Sequence, residues 1–488
     1  MSETSGQPYI LLPFHFMRMS LSTVLMVNMA GEYFLLPDEQ LHPLISYKMS
    51  NTSELFLQLK AKHFVAESLS DPAVDLMAVK YRTKKSFLYD FTSLHILVVT
   101  QRCNQKCSYC QASSEDAVGK GNYDMSIETA RKAVDICLKG PAKSIKIEFQ
   151  GGEPLLSFKT IAFAIDYANQ QAARSKKNIE FVVCTNLTLI TDDMLKYFAE
   201  NDVSLSFSLD GPRRVHDMSR CYRNGLGTYD DVVRSLDKAR KYMNRNRLSA
   251  LMTTTKYSLP FHEEIVDEYI KQDLNTIFVR FLNPFGFAKG NREISYSASE
   301  FIDFYKRMLR HLVDINLKGI FVQEVFSSIL LTRILTPFST GFVDLQFPAG
   351  TGISGVIYGH DGNVYLSDEA RMLAQMGDYT FCMGNVYKNT FEELFCGPVI
   401  QSIIADTCAE ALPGCSECVF QMYCGIDPIR NYVTQGSIVG HRPTSDFCHI
   451  HKEIIKFLME NILRDSPEYM DVFWSWITGR DISAVRVL

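Results

Sequence analysis

The chain has 488 residues, 46% hydrophobic and 22% charged, with a formal net charge of −5 at pH 7. That composition supports more than one buried core and argues against disorder. It gives no basic field for a phosphate backbone, so nucleic acid is not an expected partner. No apolar run reaches the roughly eighteen residues of a membrane span, and the start Met1-Ser2-Glu3-Thr4-Ser5 lacks the basic opening of a signal peptide. A cytoplasmic location with no membrane partner is therefore expected. Thirteen cysteines in that reducing compartment point to metal or redox chemistry more than to disulfides.

Residues 1–92 form the first predicted unit. Thr23–Asn28 and Tyr33–Leu36 read as two β runs joined by a turn through Gly31, a hairpin. Asp38 and Ser53 stand as helix caps before Leu41/Leu44/Ile45 and Leu55/Phe56/Leu59, which have helical spacing. A hairpin with short helices resembles the winged-helix-type precursor-recognition domains of peptide-modifying enzymes, which bind a leader peptide by adding it as a strand. The alternative is a cap over a barrel edge.

Residues 93–320 alternate β-like runs with helical patterns. Six strands are predicted: at Leu94–Val99, Ser144–Phe149, Ile179–Cys184, Val203–Phe207, Leu248–Met252 and Thr276–Phe281. A helix is expected from the cap Ser126 to Gly140-Pro141. Six βα repeats imply an α/β fold, a partial (β/α)6 barrel of the TIM type, with its chemistry on the loops after the strands. The first such loop carries Cys103, Cys107 and Cys110 within eight positions. Three thiolates around one cubane leave one iron open, where iron–sulfur clusters normally take four protein ligands. A structural zinc site, the competing reading, usually closes at four ligands, and no fourth follows nearby. The second loop is Gly151-Gly152-Glu153-Pro154, whose glycines let backbone approach a ligand closely.

With Tyr109 before the last cysteine, the triplet and the Gly-Gly-Glu motif resemble the radical S-adenosylmethionine (SAM) enzymes. The resemblance implies a 4Fe–4S cluster with an open iron, SAM bound at that iron, and a flavodoxin- or ferredoxin-like electron donor. By the same resemblance Gly151, Gly152 and Glu153 hold the methionyl amine. Tyr109 of the cysteine motif and Asn186, Ser208 and Asp210 on the next two loops are further cofactor contacts, with Arg220 ranked below them. Asn and Asp-Gly-Pro are also ordinary turn residues.

Residues 321–488 hold a hairpin expected across His360-Asp361-Gly362, a helix around Phe391–Leu394, and Cys415, Cys418, Cys424 and Cys448. Four thiols at this spacing can close one 4Fe–4S cluster or one zinc. The pattern resembles the SPASM extension of radical SAM peptide maturases, implying one auxiliary 4Fe–4S cluster. Pro428 and the Ser367-Asp368 pair stand where that family carries further cysteines, so a second auxiliary cluster is not expected; Cys382 and Cys408 are left over. Cys137, Cys184, Cys221 and Cys396 read as buried thiols.

The chain looks most like the radical SAM maturase of the His-Xaa-Ser peptide system. Phrases carrying this likeness are Glu148–Leu156, Ala250–Thr254, Asn283–Ala288 and Ser367–Met372. It implies modification of a ribosomally made precursor peptide or protein. The alternatives are a maturase oxidising a Cys or Ser of a target enzyme and a non-catalytic metal-stapled scaffold, which would need no Gly-Gly-Glu loop.

Overall fold

The computed structural model describes residues 8–112, 114–118, 121–464 and 466–486. The reading of Met1–Ser5 lies outside the described residues. Strands β1 (Phe14–Arg18), β2 (Thr23–Asn28) and β3 (Tyr33–Pro37) form an antiparallel sheet in that order. The expected hairpin is β2–β3, and β1 is an addition. Gly31 turns at φ +76°, and the Asn28 carboxamide oxygen accepts from the backbone N–H of Ala30 and Glu32, which fixes the turn. Ser53 caps its helix by accepting from Phe56 N–H. Asp38 does not cap: it is the first helical residue after Pro37 and pairs with Arg18 at 2.8 Å. A third helix, Pro72–Lys84, is capped by Asp71.

All six expected central strands form: β4 (Leu94–Thr100), β5 (Ser144–Gly151), β6 (Asn178–Thr185), β7 (Ser204–Ser208), β8 (Leu248–Thr253) and β9 (Thr276–Arg280). They pair in parallel in chain order. Helices cover one face. On β5, Ile145, Ile147 and Phe149 are buried while Lys146, Glu148 and Gln150 are more open, the alternation of a sheet with one packed face and one polar one. The helix after Ser126 runs Ile127–Cys137, with the Ser126 hydroxyl accepting from Thr129 N–H.

The sheet extends past both ends of this set. β10 (Gln323–Glu324) adds beside β9, and β11 (Gly355–Tyr358) pairs in parallel with β4. β12 (Asn363–Tyr365) and β13 (Cys382–Asn385) follow antiparallel, making ten strands. The expected hairpin around His360–Gly362 is β11–β12, with Gly362 at φ +84°. It is built into the barrel sheet and does not stand apart from it, so pairing crosses the position near residue 320 where composition suggested a division. Among the described residues no helix is long and apolar enough to cross a membrane.

Candidate active site

The loops after β4, β5, β6 and β7 meet at one end of the sheet. Cys103, Cys107 and Cys110 follow β4. Cys110 N–H donates to Cys107 O at 3.1 Å, Lys106 N–H to Cys221 O at 2.8 Å and Ser108 N–H to Ser219 O at 2.9 Å, so the loop is tied down by its own turn and by the segment after β7. Burial pushes the Cys103 and Cys107 thiols up, Cys107 to about 12; the Arg220 guanidinium pulls Cys107 back, and neighbouring cysteine charges push both further. The three thiols thus share one electrostatic neighbourhood, and none is in a disulfide.

The glycines of the next loop serve this one. A Cβ on Gly151 would lie 2.0 Å from Thr100 O, and one on Gly152 2.3 Å from Arg102 O. Their bareness lets β5 press against the start of the cysteine loop, where the sequence alone suggested ligand approach; Gly152 N–H and Glu153 N–H donate to Thr100 O and Arg102 O.

Glu153 is buried, and its carboxylate accepts from Leu155 N–H, Thr185 hydroxyl and Asn186 N–H. Burial raises it to about 7 against the pull of those donors. Its side chain braces the ends of β5 and β6, and its carbonyl accepts from Leu156 N–H at 3.1 Å. Asp210 differs from expectation in the same way. Its carboxylate accepts from the Tyr109 hydroxyl, from Arg220 Nε at 3.1 Å and from Thr253 N–H at 3.1 Å, and it is 1% exposed. Tyr109, also buried, lies under the Arg220 guanidinium at 5.1 Å. Tyr109, Asp210 and Arg220 are therefore one internal network holding the cysteine loop to β7 and β8, with Arg220 Nη1 3.8 Å from Cys107 Sγ.

Asn186 is buried and bonded as well, and Ser208 is the looser member. The Asn186 amide donates to Asn104 Oδ1 at 2.8 Å and reaches Cys103 Sγ at 3.8 Å, while its oxygen accepts from Thr188. Ser208, half-buried at the end of β7, has no side-chain hydrogen bond among the described residues. The sequence missed Arg223, whose Nε and Nη2 donate to Cys103 O and Ser114 O. Its signal was the cationic run around Cys221, close behind the Asp-Gly-Pro turn.

The C-terminal thiols form a second group. The charges of Cys418, Cys448 and Cys415 act on Cys424, in falling order, adding to burial, so all four lie within electrostatic reach. Arg442 Nε donates to Cys415 Sγ at 3.0 Å, and the buried Arg333 donates to the carbonyls of Met422, Tyr423 and Cys424. Cys448 lies in the first turn of the helix Asp446–Leu463, where its N–H donates to the capping Ser445 hydroxyl. Cys382 and Cys408 stand apart: Asp361 is the charge acting on the first, Glu410 and Lys85 those acting on the second. Of the four cysteines read as buried, Cys137 is buried, Cys184 and Cys221 are half-buried and Cys396 is exposed, at the end of the short helix Phe391–Phe395 and not inside an apolar run.

Residues 97–277 match the family model of the Radical SAM superfamily. They form a radical SAM domain. An uncharacterized protein of Methanocaldococcus jannaschii is 34% identical over 189 residues, which are 39% of this chain and 62% of that one, so the chain spans less than two thirds of that relative. A cysteine-type anaerobic sulfatase-maturating enzyme of Clostridium perfringens is 26% identical over 310 residues, 62% of this chain and 80% of that enzyme. Among solved structures, native anSMEcpe with bound AdoMet shares the fold over 76% of this chain and 98% of its own, at TM-score 0.64 and 21% identity. Streptococcus suis SuiB bound to precursor peptide SuiA does so over 90% and 99%, at TM-score 0.53 and 14% identity.

Radical SAM domains use a 4Fe–4S cluster and SAM, and the residues here fit that requirement. Three unbridged thiols converge on one loop, and beside them Gln105 Nε2 and Ser108 Oγ are buried with no partner among the described residues. No three His, Cys, Asp or Glu side chains among those residues form an ion-sized cage.

Proposed function

We propose that the chain is a radical SAM peptide maturase: it cleaves SAM reductively and modifies a ribosomally made peptide or protein after hydrogen abstraction. The supporting observation is the convergence of Cys103, Cys107 and Cys110 with the Gly151-Gly152 contact at one end of a radical SAM barrel. In this reading those cysteines hold the cluster. The backbone of Gly151, Gly152 and Glu153 takes the SAM amine, and Asn186 and Ser208 offer polar groups to the rest of the cofactor. Tyr109, Asp210 and Arg220 keep the loop in place and put a fixed positive charge beside Cys107. When bound there and reduced by a flavodoxin- or ferredoxin-like donor, the cluster would supply the single electron for reductive cleavage of SAM.

Cys415, Cys418, Cys424 and Cys448 hold one auxiliary 4Fe–4S cluster, in an arrangement resembling SPASM. Residues 1–92 are a recognition unit for the precursor peptide, 93–320 the radical SAM barrel and 321–488 the auxiliary part, in a cytoplasmic enzyme. The fold shared with SuiB along 90% of the chain supports a peptide substrate, and maturation of the His-Xaa-Ser type is the finer form of this reading. A second reading, oxidation of a Cys or Ser on a target enzyme, is favoured by the similarity to the sulfatase-maturating enzyme. Against it stand Ser367 and Pro428 at positions of expected cysteines and the isolation of Cys382 and Cys408.

Anaerobically reconstituted protein given dithionite and SAM should release 5′-deoxyadenosine, and the triple Cys103→Ala, Cys107→Ala, Cys110→Ala variant should not. Equal release from both would overturn the assignment. A sulfatase-derived cysteine peptide converted to formylglycine would move the conclusion to the second reading.

A further inference from the structure

A cleft opens at the end of β9, beside the active-site loops, with walls that include Phe281, Phe326 and Phe447 and the carboxylates of Asp344, Glu369 and Asp427. It borders the cysteine loop through a short connection. Asn283 lines the cleft, and four residues on, Phe287 N–H donates to Cys110 O at 2.9 Å, where a Cβ on Gly286 would lie 2.5 Å from the same carbonyl. On the other side, Arg280 O accepts from Thr254 N–H, one residue past the Thr253 amide that holds Asp210.

The cleft is short of positive charge. Arg280 lies 3.7 Å from Asp344. Arg430 gives a hydrogen bond to Asn283 Oδ1 at 2.7 Å, stacks on Phe281 at 4.9 Å and also feels Asp446 outside the cleft. Two guanidinium groups thus face three carboxylates. Asp427 spends one oxygen capping the helix Pro428–Gln435. The Glu369 carboxyl accepts from its own backbone N–H and makes no ion pair among the described residues; the neighbouring Arg371 is taken by Asp368 at 2.7 Å. His451 on the opposite wall adds no charge near neutrality, because burial lowers it to about 4 against the opposing pull of Phe447 O, 2.7 Å from its Nδ1. Burial first, then the charges of Asp427, Asp344 and Asp368, push Glu369 up to about 7; Asp427 rises to about 6, also chiefly by burial.

We infer that this cleft is a recognition site for an alkylammonium group, the side chain of a lysine in the peptide substrate. Aromatic faces beside carboxylates suit an organic cation, which gains from the ring quadrupoles as well as from charge. A hard metal ion would want oxygens gathered around one point, and the described residues form no such cage. The connection from Asn283 to Phe287 sets the cleft next to Cys110, so a lysine held there would keep neighbouring peptide backbone near the cysteine loop, which is what hydrogen abstraction needs. The inference deepens the maturase reading and rests on it for the identity of the substrate.

The test is saturation-transfer NMR on cluster-loaded protein under anaerobic conditions, with three probes: Nα-acetyl-lysine N-methylamide, its Nε-acetylated form, and alanine N-methylamide. Transfer to the first alone is expected at pH 8, falling at least tenfold at pH 5.5 as Glu369 and Asp427 take up protons, and falling similarly in Glu369→Gln. Should that variant lose iron, Asp344→Asn takes its place. Equal transfer to the Nε-acetylated probe, transfer to alanine N-methylamide in place of the lysine probe, or no transfer at all would overturn the inference. Release of 5′-deoxyadenosine by the same sample separates the outcomes. SAM cleavage without lysine binding defeats the cleft assignment alone, and lysine binding without SAM cleavage defeats the enzymatic reading alone.

Discussion

The hydroxyl of Tyr423 donates to the carbonyl of Gly31 at 2.9 Å, across 392 residues of sequence. It fastens the loop bearing Cys418 and Cys424 to the turn of the N-terminal hairpin. Around it, Lys84 Nζ donates to Arg333 O at 2.7 Å and Thr336 O at 3.0 Å, while Arg333 holds three carbonyls of the cysteine loop. Lys85 pairs with Glu410 at 3.0 Å and lies over the Phe347 ring at 3.5 Å. The N-terminal unit and the C-terminal thiols are physically one assembly.

Removal of residues 1–92 should therefore cost more than peptide binding. The truncated protein is expected to bind less iron at the C-terminal thiols and to aggregate, since it removes Lys84 from the Arg333 and Thr336 carbonyls and Lys85 from Glu410, beside the loop of those thiols. A shorter cut ending near residue 70, which keeps the helix Pro72–Lys84, should retain iron and SAM cleavage while losing precursor binding. Iron analysis and peptide binding on the two truncations decide; normal peptide binding by the shorter one removes recognition from the hairpin.

Lys84 makes the junction pH-sensitive. Burial lowers its ammonium to about 7 from 10.5. Between those values the unfolded chain holds a proton that the folded one has released, so stability should rise with pH across the window, by up to about 1.4 kcal/mol per pH unit. Denaturant midpoints measured at pH 7 and pH 9 should differ in that direction, and Lys84→Met should flatten the difference.

Asp210 and Arg220 form a buried pair at 3.1 Å. Asp210→Asn strands the guanidinium and should cost about 3–5 kcal/mol, with loss of the N-terminal cluster. Adding Arg220→Met should recover much of the stability without restoring SAM cleavage. If Asp210→Asn instead leaves stability unchanged and only weakens SAM binding, the carboxylate contacts the cofactor and is no brace.

Iron content should be about eight per chain if both thiol groups carry 4Fe–4S clusters, and about four in the triple Cys→Ala variant at 103, 107 and 110. A reading near twelve would mean that Cys382 or Cys408 ligates after all.

The six barrel strands were legible because each is a short apolar or alternating run, most of them rich in β-branched or aromatic residues as in Ile96–Val99. Gln323–Glu324 was not, being two polar residues that pair only because β9 offers an edge. The cysteine groups were legible from spacing. The reason for Gly151 and Gly152 was not, since it lies in carbonyls of another strand. Asp344, Glu369 and Asp427 carried no signal either: they come from three separate segments, and each alone reads as a solvated surface residue or a helix cap.

The pairing of β11 with β4 has its own consequence. The strand that delivers Cys103 is hydrogen-bonded on both sides, by β5 and by a strand more than 250 residues later. A nascent chain that has emerged only as far as the barrel still exposes β4 as a free edge, open to pairing with other chains. Hydrogen-exchange protection of the Ile96 and Val98 amides would report when the C-terminal hairpin has docked.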